Sequence, residues 1–375
     1  MANQNLINAK NAKSDEFYTQ YDDIQKEMQA YLDYDPDVFR GKVVYCNCDD
    51  PYESNFFRYF ALKFNEIGLK QLITTSYKTS PVACTQLDLF GEGSVDANQN
   101  DRPVGAAARF IINEVGDTNE DGAFNLTDIA DQLRANKNNE WSLLKGDGDF
   151  RSAECIELLK QSDIVITNPP FSLFREYVAQ LVEYEKKFVI IGNMNAITYK
   201  EIFPLLKDDR MWLGPTITSG DREFQVPDSY PLDAAGWRID EIGRKYIRVK
   251  GVRWYTNLDH GRRHQPLKLM TMADNLKFNK KMNGRTKYDR YVNYDAIEVP
   301  FTDAIPSDYD GEMGVPISFL DKYCPEQFVI LGATESEGKG FSNGLWDSTS
   351  KVSQPLIANE RVYKRLFIKP RKADK

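Results

Sequence analysis

Asp163-Ile164-Val165-Ile166-Thr167-Asn168-Pro169-Pro170-Phe171-Ser172 is an apolar run that stops at one amide side chain and two prolines. Proline fixes φ near −65° and restrains the residue before it, so the chain must leave a strand at this point. Apolar residues at helical spacing follow over about 174 to 186. Strand, sharp turn and helix is the local reading, and the rhythm recurs outward. Lys187 to Gly192 reads as the next strand, and a helical pattern at about 153 to 161 precedes Asp163. Further upstream, Lys42 to Cys48 is a strand that stops at Asp49-Asp50-Pro51, Ser54 to Phe64 a helix with Gly68 beyond it, and Gln71 to Tyr77 a second strand. This alternation predicts an α/β fold with a doubly wound, mostly parallel sheet. Ligands of such sheets sit beyond the carboxyl ends of the strands, so the loops at Asp49 and Asn168 are expected to face one crevice.

Residues 80 to 140 interrupt the rhythm with polar, Gly- and Asn-rich sequence and one strand candidate, Arg109 to Ile112, and are read as an insertion. Beyond Thr256 the alternation gives way to aromatic and basic sequence. Two domains are therefore expected, 1–258 with the insertion and 259–375 as a mixed α+β module. No apolar run approaches the roughly 18 residues of a membrane span, and the start lacks the apolar core of a signal peptide. A cytoplasmic protein with no membrane partner is the expectation. The cysteines are five, at 46, 48, 84, 155 and 324. An odd number in mostly apolar surroundings fits free thiols of a reduced compartment, and Cys46-Asn47-Cys48 fits alternate residues of a buried strand better than a zinc site.

The net charge is −8, yet residues 236–290 hold 15 Lys and Arg against 5 Asp and Glu. That window is +10 and the remainder −18. A basic footprint for a polyanion on an otherwise acidic chain argues for nucleic acid, against the plainer reading of a solvated face.

Asn168-Pro169-Pro170-Phe171 suits one piece of chemistry. The exocyclic amine of adenine is a poor nucleophile because its lone pair is delocalised into the ring. A catalyst must accept hydrogen bonds from both its hydrogens, and the Asn168 side-chain carbonyl with the Pro169 main-chain carbonyl offers two rigid acceptors. Phe171 offers a stacking face to a base extruded from a duplex. The plainer alternative, a strand-ending turn, is weakened by the strand before and the helix after.

These motifs resemble the adenine-specific DNA methyltransferases of the EcoRI modification type. The likeness runs through Asp15 to Thr19, Cys46 to Phe56, Gly146 to Ser152, the Asn168 loop and Gly314 to Leu320. It implies a catalytic domain of the S-adenosylmethionine-dependent type followed by a target-recognition module. It also implies that Phe17, Tyr18 and Thr19 line the methionine end of S-adenosylmethionine, that Asp49, Asp50 and Pro51, with Asn55 beside them, form the first-strand loop, and that Asp149 and Phe150 hold the adenine ring. Two departures stand out. Asp-Asp-Pro replaces the usual glycine-rich loop, and Thr74-Thr75-Ser76 stands where an acidic ribose ligand is common.

Double-stranded DNA is the implied substrate, and a cognate restriction endonuclease acting on the same site the implied partner. Trp254 or Tyr255, inside the basic window, is a candidate second wall for the base, with a core role left open. Arg262 and Arg263 are candidate phosphate contacts, and Arg285, Lys287 and Arg290 candidate guanine readers. His260 and His264 lack acidic or cysteine partners nearby and are expected to face phosphate rather than a metal. Activity on RNA or on a protein glutamine remains an alternative, as does a binding module that keeps the fold alone.

Asp117-Thr118-Asn119-Glu120-Asp121-Gly122-Ala123-Phe124-Asn125-Leu126-Thr127-Asp128 fits the calcium-loop pattern at positions 1, 3, 5, 6, 9 and 12. Asp117, Asn119, Asp121, Ala123, Asn125 and Asp128 are its candidate ligands, for a structural calcium ion. Asp stands at the last position where Glu is commoner, and a turn whose Asx side chains bond their own backbone stays open.

Overall fold

The computed structural model describes residues 19–48, 54–76, 107–117, 128, 138–218, 221–226, 232, 236–334, 355–358, 360–362 and 364–371. They fall into two compact units, one from 1–194 and 216–259, the other from 195–215 and 260–375.

The first unit is built on β1 (Val43–Cys46), β2 (Gln71–Thr75), β3 (Ala108–Ile112), β4 (Glu140–Leu143), β5 (Ile164–Thr167), β6 (Lys187–Asn193) and β11 (Val252–Thr256). They lie side by side in the order β4-β3-β2-β1-β5-β6-β11. The central four, β2-β1-β5-β6, are parallel, with Val43 opposite Gln71, Val44 opposite Ile164, and Ile164 opposite Lys187. Val-Val-Tyr-Cys and Ile-Val-Ile-Thr are buried at every position, as parallel strands covered on both faces must be. Helices α1 (Tyr21–Tyr34), α2 (Asn55–Lys63), α3 (Ala153–Gln161) and α4 (Phe174–Glu183) belong to the same unit. Helix α1 buries Ile24, Met28 and Tyr31, a spacing of four and three that the sequence reading overlooked. The chain order reverses at the β1/β5 seam, where the strand ends define the crevice.

The structure revises the insertion at 80–140. Its strand candidate is β3, which with β4 extends the sheet by antiparallel pairing, Leu72 opposite Ile112 and Phe110 opposite Trp141. Part of the supposed insertion is therefore sheet. A second, antiparallel sheet, β8 (Asp221–Val226), β10 (Lys245–Lys250) and β9 (Arg238–Ile239), sends Phe224, Val226 and Ile247 into the core that holds Phe56 and Trp254.

The second unit contains α5 (Phe203–Lys207), β7 (Trp212–Leu213), α6 (Met272–Phe278), the hairpin β15 (Leu356–Ile357) and β16 (Glu360–Arg361), and a sheet ordered β12-β13-β17-β14. That sheet comprises β12 (Ala296–Glu298), β13 (Glu312–Pro316), β14 (Phe328–Ala333) and β17 (Arg365–Pro370). Across it runs a buried polar cluster. Arg365 donates from Nε and Nη2 to Glu298 at 3.0 and 2.6 Å, and the Tyr291 hydroxyl donates to the other oxygen of the same carboxylate. Burial, then the Glu298 charge, holds the Tyr291 phenol far above its usual range. A Cβ on Gly314 of β13 would stand 2.1 Å from that hydroxyl, so only glycine admits the tyrosine.

Segment 195–215, which the sequence reading gave to the first domain, belongs to the second unit because later residues grip it. The Arg263 guanidinium lies 3.9 Å from the Trp212 ring centre and pairs with Asp209, and the His260 ring sits 3.1 Å from the Leu213 carbonyl. No described helix is long and apolar enough to cross a membrane. Cys46, Cys48, Cys155 and Cys324 form no disulfide among the described residues, and Cys84 lies outside them.

Candidate active site

β5 delivers Asn168 at its carboxyl end, 7% exposed. Pro169 is buried and Pro170 takes φ −54°, ψ 123°, after which one 3-10 turn over Phe171–Leu173 is closed by Leu173 N–H donating to the Pro170 carbonyl at 2.9 Å. Helix α4 starts immediately afterwards. Phe171 is half-buried and leans on the main core.

What fixes this loop is a clamp to the end of β1. The Thr167 hydroxyl donates to the Asn47 carbonyl, and the Tyr177 hydroxyl of α4 donates to the Asn47 side-chain oxygen. Asn47 is fully buried, and Cys48 after it turns left-handed at φ 63°. A non-glycine residue held there signals a backbone constrained by its surroundings. β2 joins through Thr74, whose hydroxyl donates to the Cys46 carbonyl at 2.9 Å, and through Thr75, whose hydroxyl shares a buried 2.9 Å hydrogen bond with Tyr45. Asn47 and Tyr177 were given no role from the sequence. The interruption of an apolar strand by a buried amide was a usable signal for Asn47, but nothing local marked Tyr177.

The 146–152 motif lies against β2. Gly148 has φ +76°, and a Cβ on it would stand 2.0 Å from the Ser76 carbonyl oxygen, so glycine is required for this close approach. Phe150 is buried, edge-on to Tyr177 with ring centres 5.0 Å apart, and its carbonyl accepts from Gln180 Nε2 at 3.2 Å. Both Asp149 oxygens accept from the Arg151 guanidinium, at 2.9 and 2.7 Å, and Arg151 also reaches Glu176 at 2.8 Å. Thr19 is buried, with its carbonyl accepting from Asn55 Nδ2 at 2.8 Å. Asn55 opens α2, whose first turn is capped by Ser54. The Thr19 hydroxyl has no partner among the described residues. Phe17, Tyr18, Asp49, Asp50 and Pro51 lie outside them.

Several sequence candidates are placed elsewhere. Trp254 and Tyr255 are fully buried. β11 is covered on both faces, Trp254 packs edge-on to Phe56 at 6.0 Å, and the Tyr255 hydroxyl donates to the Asn193 carbonyl at 2.8 Å. They are core residues, not an exposed wall. Arg263 is buried between Trp212 and Asp209, away from phosphate, whereas Arg262 is half-buried and donates through Nη1 to the Pro215 carbonyl at 2.5 Å. His260 is likewise buried, and His264 lies 2.7 Å from Glu326. Arg285, Lys287 and Arg290 are exposed, the two arginines in exposed ion pairs with Asp289 and Asp295. The basic window is thus divided between the two units, with Arg253 and Arg263 buried. Of the calcium-loop ligands, Asn119, Asp121, Ala123 and Asn125 lie outside the described residues. Asp117 is exposed and Asp128 buried. No cluster of three or more metal-ligating side chains occurs among the described residues.

A family described as adenine-specific methyltransferase EcoRI matches residues 5–371. The chain belongs to this family. The Type II methyltransferase M.EcoRI of Escherichia coli is 44% identical over 329 residues, covering 88% of this chain and 89% of its own. M.MpnI of Mycoplasma pneumoniae is 35% identical, over 86% of this chain and 83% of its own, and M.MgeORF184P of Mycoplasma genitalium 32%, over 96% and 97%. No solved structure matches. As a member of the EcoRI methyltransferase family, the protein is a site-specific adenine DNA methyltransferase, which sets aside the protein-glutamine and binding-module readings. Membership implies use of S-adenosylmethionine. The described residues are compatible with that cofactor: Thr19 has a buried hydroxyl with no partner among them, and the Gly148 loop makes a glycine-dependent approach to the end of β2.

Proposed function

We propose that Asn168 and Pro169 activate the exocyclic amine of an adenine extruded from duplex DNA. The position of Asn168, directly after a buried parallel strand and clamped through Thr167 and Tyr177 to Asn47, carries this reading. The Asn168 side-chain oxygen and the Pro169 carbonyl accept the two amine hydrogens, which restores electron density to nitrogen, while Phe171 stacks on the base. Thr19, Asp149 and Phe150 orient the cofactor, and Phe17, Tyr18, Asp49, Asp50, Pro51 and Asn55 complete its site. S-adenosylmethionine, when bound, supplies the electrophilic sulfonium methyl, and attack in line requires no covalent enzyme intermediate. Electrostatic pre-organisation is the principal catalytic effect, because both acceptors are set before the base arrives. Mapping methylated adenines in DNA of known sequence after treatment with purified protein tests the assignment and yields the recognition site; absence of adenine methylation would overturn it.

The second unit serves target recognition in this reading, with Arg285, Lys287 and Arg290 as the DNA-facing cations in place of the buried Arg263. Exposed ion pairs contribute about 0–1 kcal/mol, so Arg285 and Arg290 exchange their carboxylates for DNA at little cost. Lys287 is placed here on a phosphate instead of the guanine edge first considered for it, so Lys287→Ala should flatten the dependence of log binding constant on log salt by about 1. An unchanged slope in a fluorescence titration over several salt concentrations would move the footprint elsewhere. A cognate endonuclease sharing the site is the partner proposed from the family.

The loop from Asp117 to Asp128 is proposed as a structural calcium site on its sequence pattern. Calorimetric titration of metal-stripped protein should give a calcium heat that Asp121→Ala abolishes. No heat, together with a melting temperature indifferent to calcium, would leave the loop an ordinary turn.

A further inference from the structure

The hairpin of β9 and β10 has a use that the methyl-transfer site leaves unexplained. Within six residues it displays Trp237, Ile239 and Ile242, exposed by 49%, 48% and 74%. Exposed apolar side chains clustered this closely mark a contact surface, whereas single ones do not, and here the most exposed is the most firmly presented. The Asp240 carboxylate organises the turn. Its Oδ1 accepts from the Ile242 and Arg244 N–H groups at 3.1 and 2.8 Å, and its Oδ2 from Arg244 Nε and the Tyr246 hydroxyl at 2.7 and 3.2 Å. Gly243, at φ +88°, allows the sharp reversal, and the Asp240 N–H closes it on the Arg244 carbonyl at 3.0 Å. Ile242 is thus held outward on a stiff tip.

The surroundings say what the tip meets. Residues 236–250 carry five Lys and Arg against Asp240 and Glu241; Arg248 and Lys250 are exposed two residues apart on β10, and the acidic residues that face them across the sheet are Glu223 and Asp221 of β8. An apolar point flanked by cations matches a nucleic-acid duplex, in which phosphates border an apolar base stack. The hairpin is also tied to the catalytic sheet. Ile247 enters its core, and β10 runs through Gly251, at φ +67°, into β11 beside β6, with the Gly251 carbonyl accepting from the Met194 N–H at 2.5 Å.

We infer that Ile242 is a wedge that enters the stacked bases of the DNA substrate and helps to expel the target adenine, with Arg248 and Lys250 on the adjoining phosphates. Apolar side chains inserted at a base step unstack and kink a duplex, which lowers the cost of extrusion. The inference rests on the proposed extrusion of the base.

Full-length wild-type protein and Ile242→Ser are compared for methyl transfer to two duplexes carrying the mapped site, one fully paired and one with the target adenine mispaired. Mispairing removes much of the work a wedge performs, so Ile242→Ser should be about tenfold or more slower on the paired duplex and within about twofold of wild type on the mispaired one. Ile242→Leu should restore the paired rate. Equal loss on both duplexes, or none on either, overturns the wedge. A change of Ile242→Ser from dimer to monomer in sedimentation, with paired-duplex methylation intact, also overturns it by making the tip a contact between copies. If the wild-type enzyme gains nothing from mispairing, extrusion itself is at fault rather than the wedge.

Discussion

Asn168→Ala should bind S-adenosylmethionine as the wild type does and lose about 10²–10³-fold in the single-turnover methylation rate, the effect of deleting one pre-organised hydrogen-bonding partner of a transition state. The amide contributes most when positive charge builds on the amine nitrogen, so the loss should fall on kcat rather than on KM for either substrate. The substitution leaves the clamp intact, because Thr167, Asn47 and Tyr177 are joined without the Asn168 side chain. Rapid-quench measurement with saturating enzyme separates the two effects. Near wild-type turnover would remove Asn168 from the chemistry.

The second large effect concerns stability. Glu298→Ala should destabilise the second unit by about 3–5 kcal/mol, because removal of one partner leaves a buried guanidinium uncompensated. Glu298 and Arg365 expose only 4% and 13% of their side chains, and Tyr291 loses its acceptor at the same time. Hydrogen exchange at the amides of β12, β13 and β17 should quicken, while those of β1 and β5 change little. Glu298→Gln, which keeps an acceptor, should cost less. A loss below about 1 kcal/mol would mean that Arg365 is effectively hydrated, as surface pairs are.

The parallel centre of the fold was legible because short, wholly apolar runs such as Val43-Val44-Tyr45-Cys46 and Ile164-Val165-Ile166-Thr167 leave few alternatives once helices stand between them. The same is true of Asn168, since two prolines after a strand dictate where its side chain emerges. Roles set by distant partners were not legible. Arg263 looked like a phosphate ligand among neighbouring cations, yet Asp209 and Trp212, more than fifty residues earlier, take it inside. Trp254 stood undecided between a wall for the base and a core role, and the pairing of its strand with β6 places it in the core. Sequence records what a residue is able to do, and pairing across the sheet decides which ability is used.

The passage of 195–215 into the second unit bears on any attempt to re-engineer specificity. If recognition resided in one continuous carboxy-terminal block, transplanting 260–375 between relatives would transplant their target sequences. Here the graft would separate Arg263 from Asp209 and Trp212, and His260 from Leu213. With target reading assigned to the second unit, as proposed, exchange of specificity would have to move two pieces of chain together, and recombination between genes of this family would need at least three crossovers to inherit that unit whole.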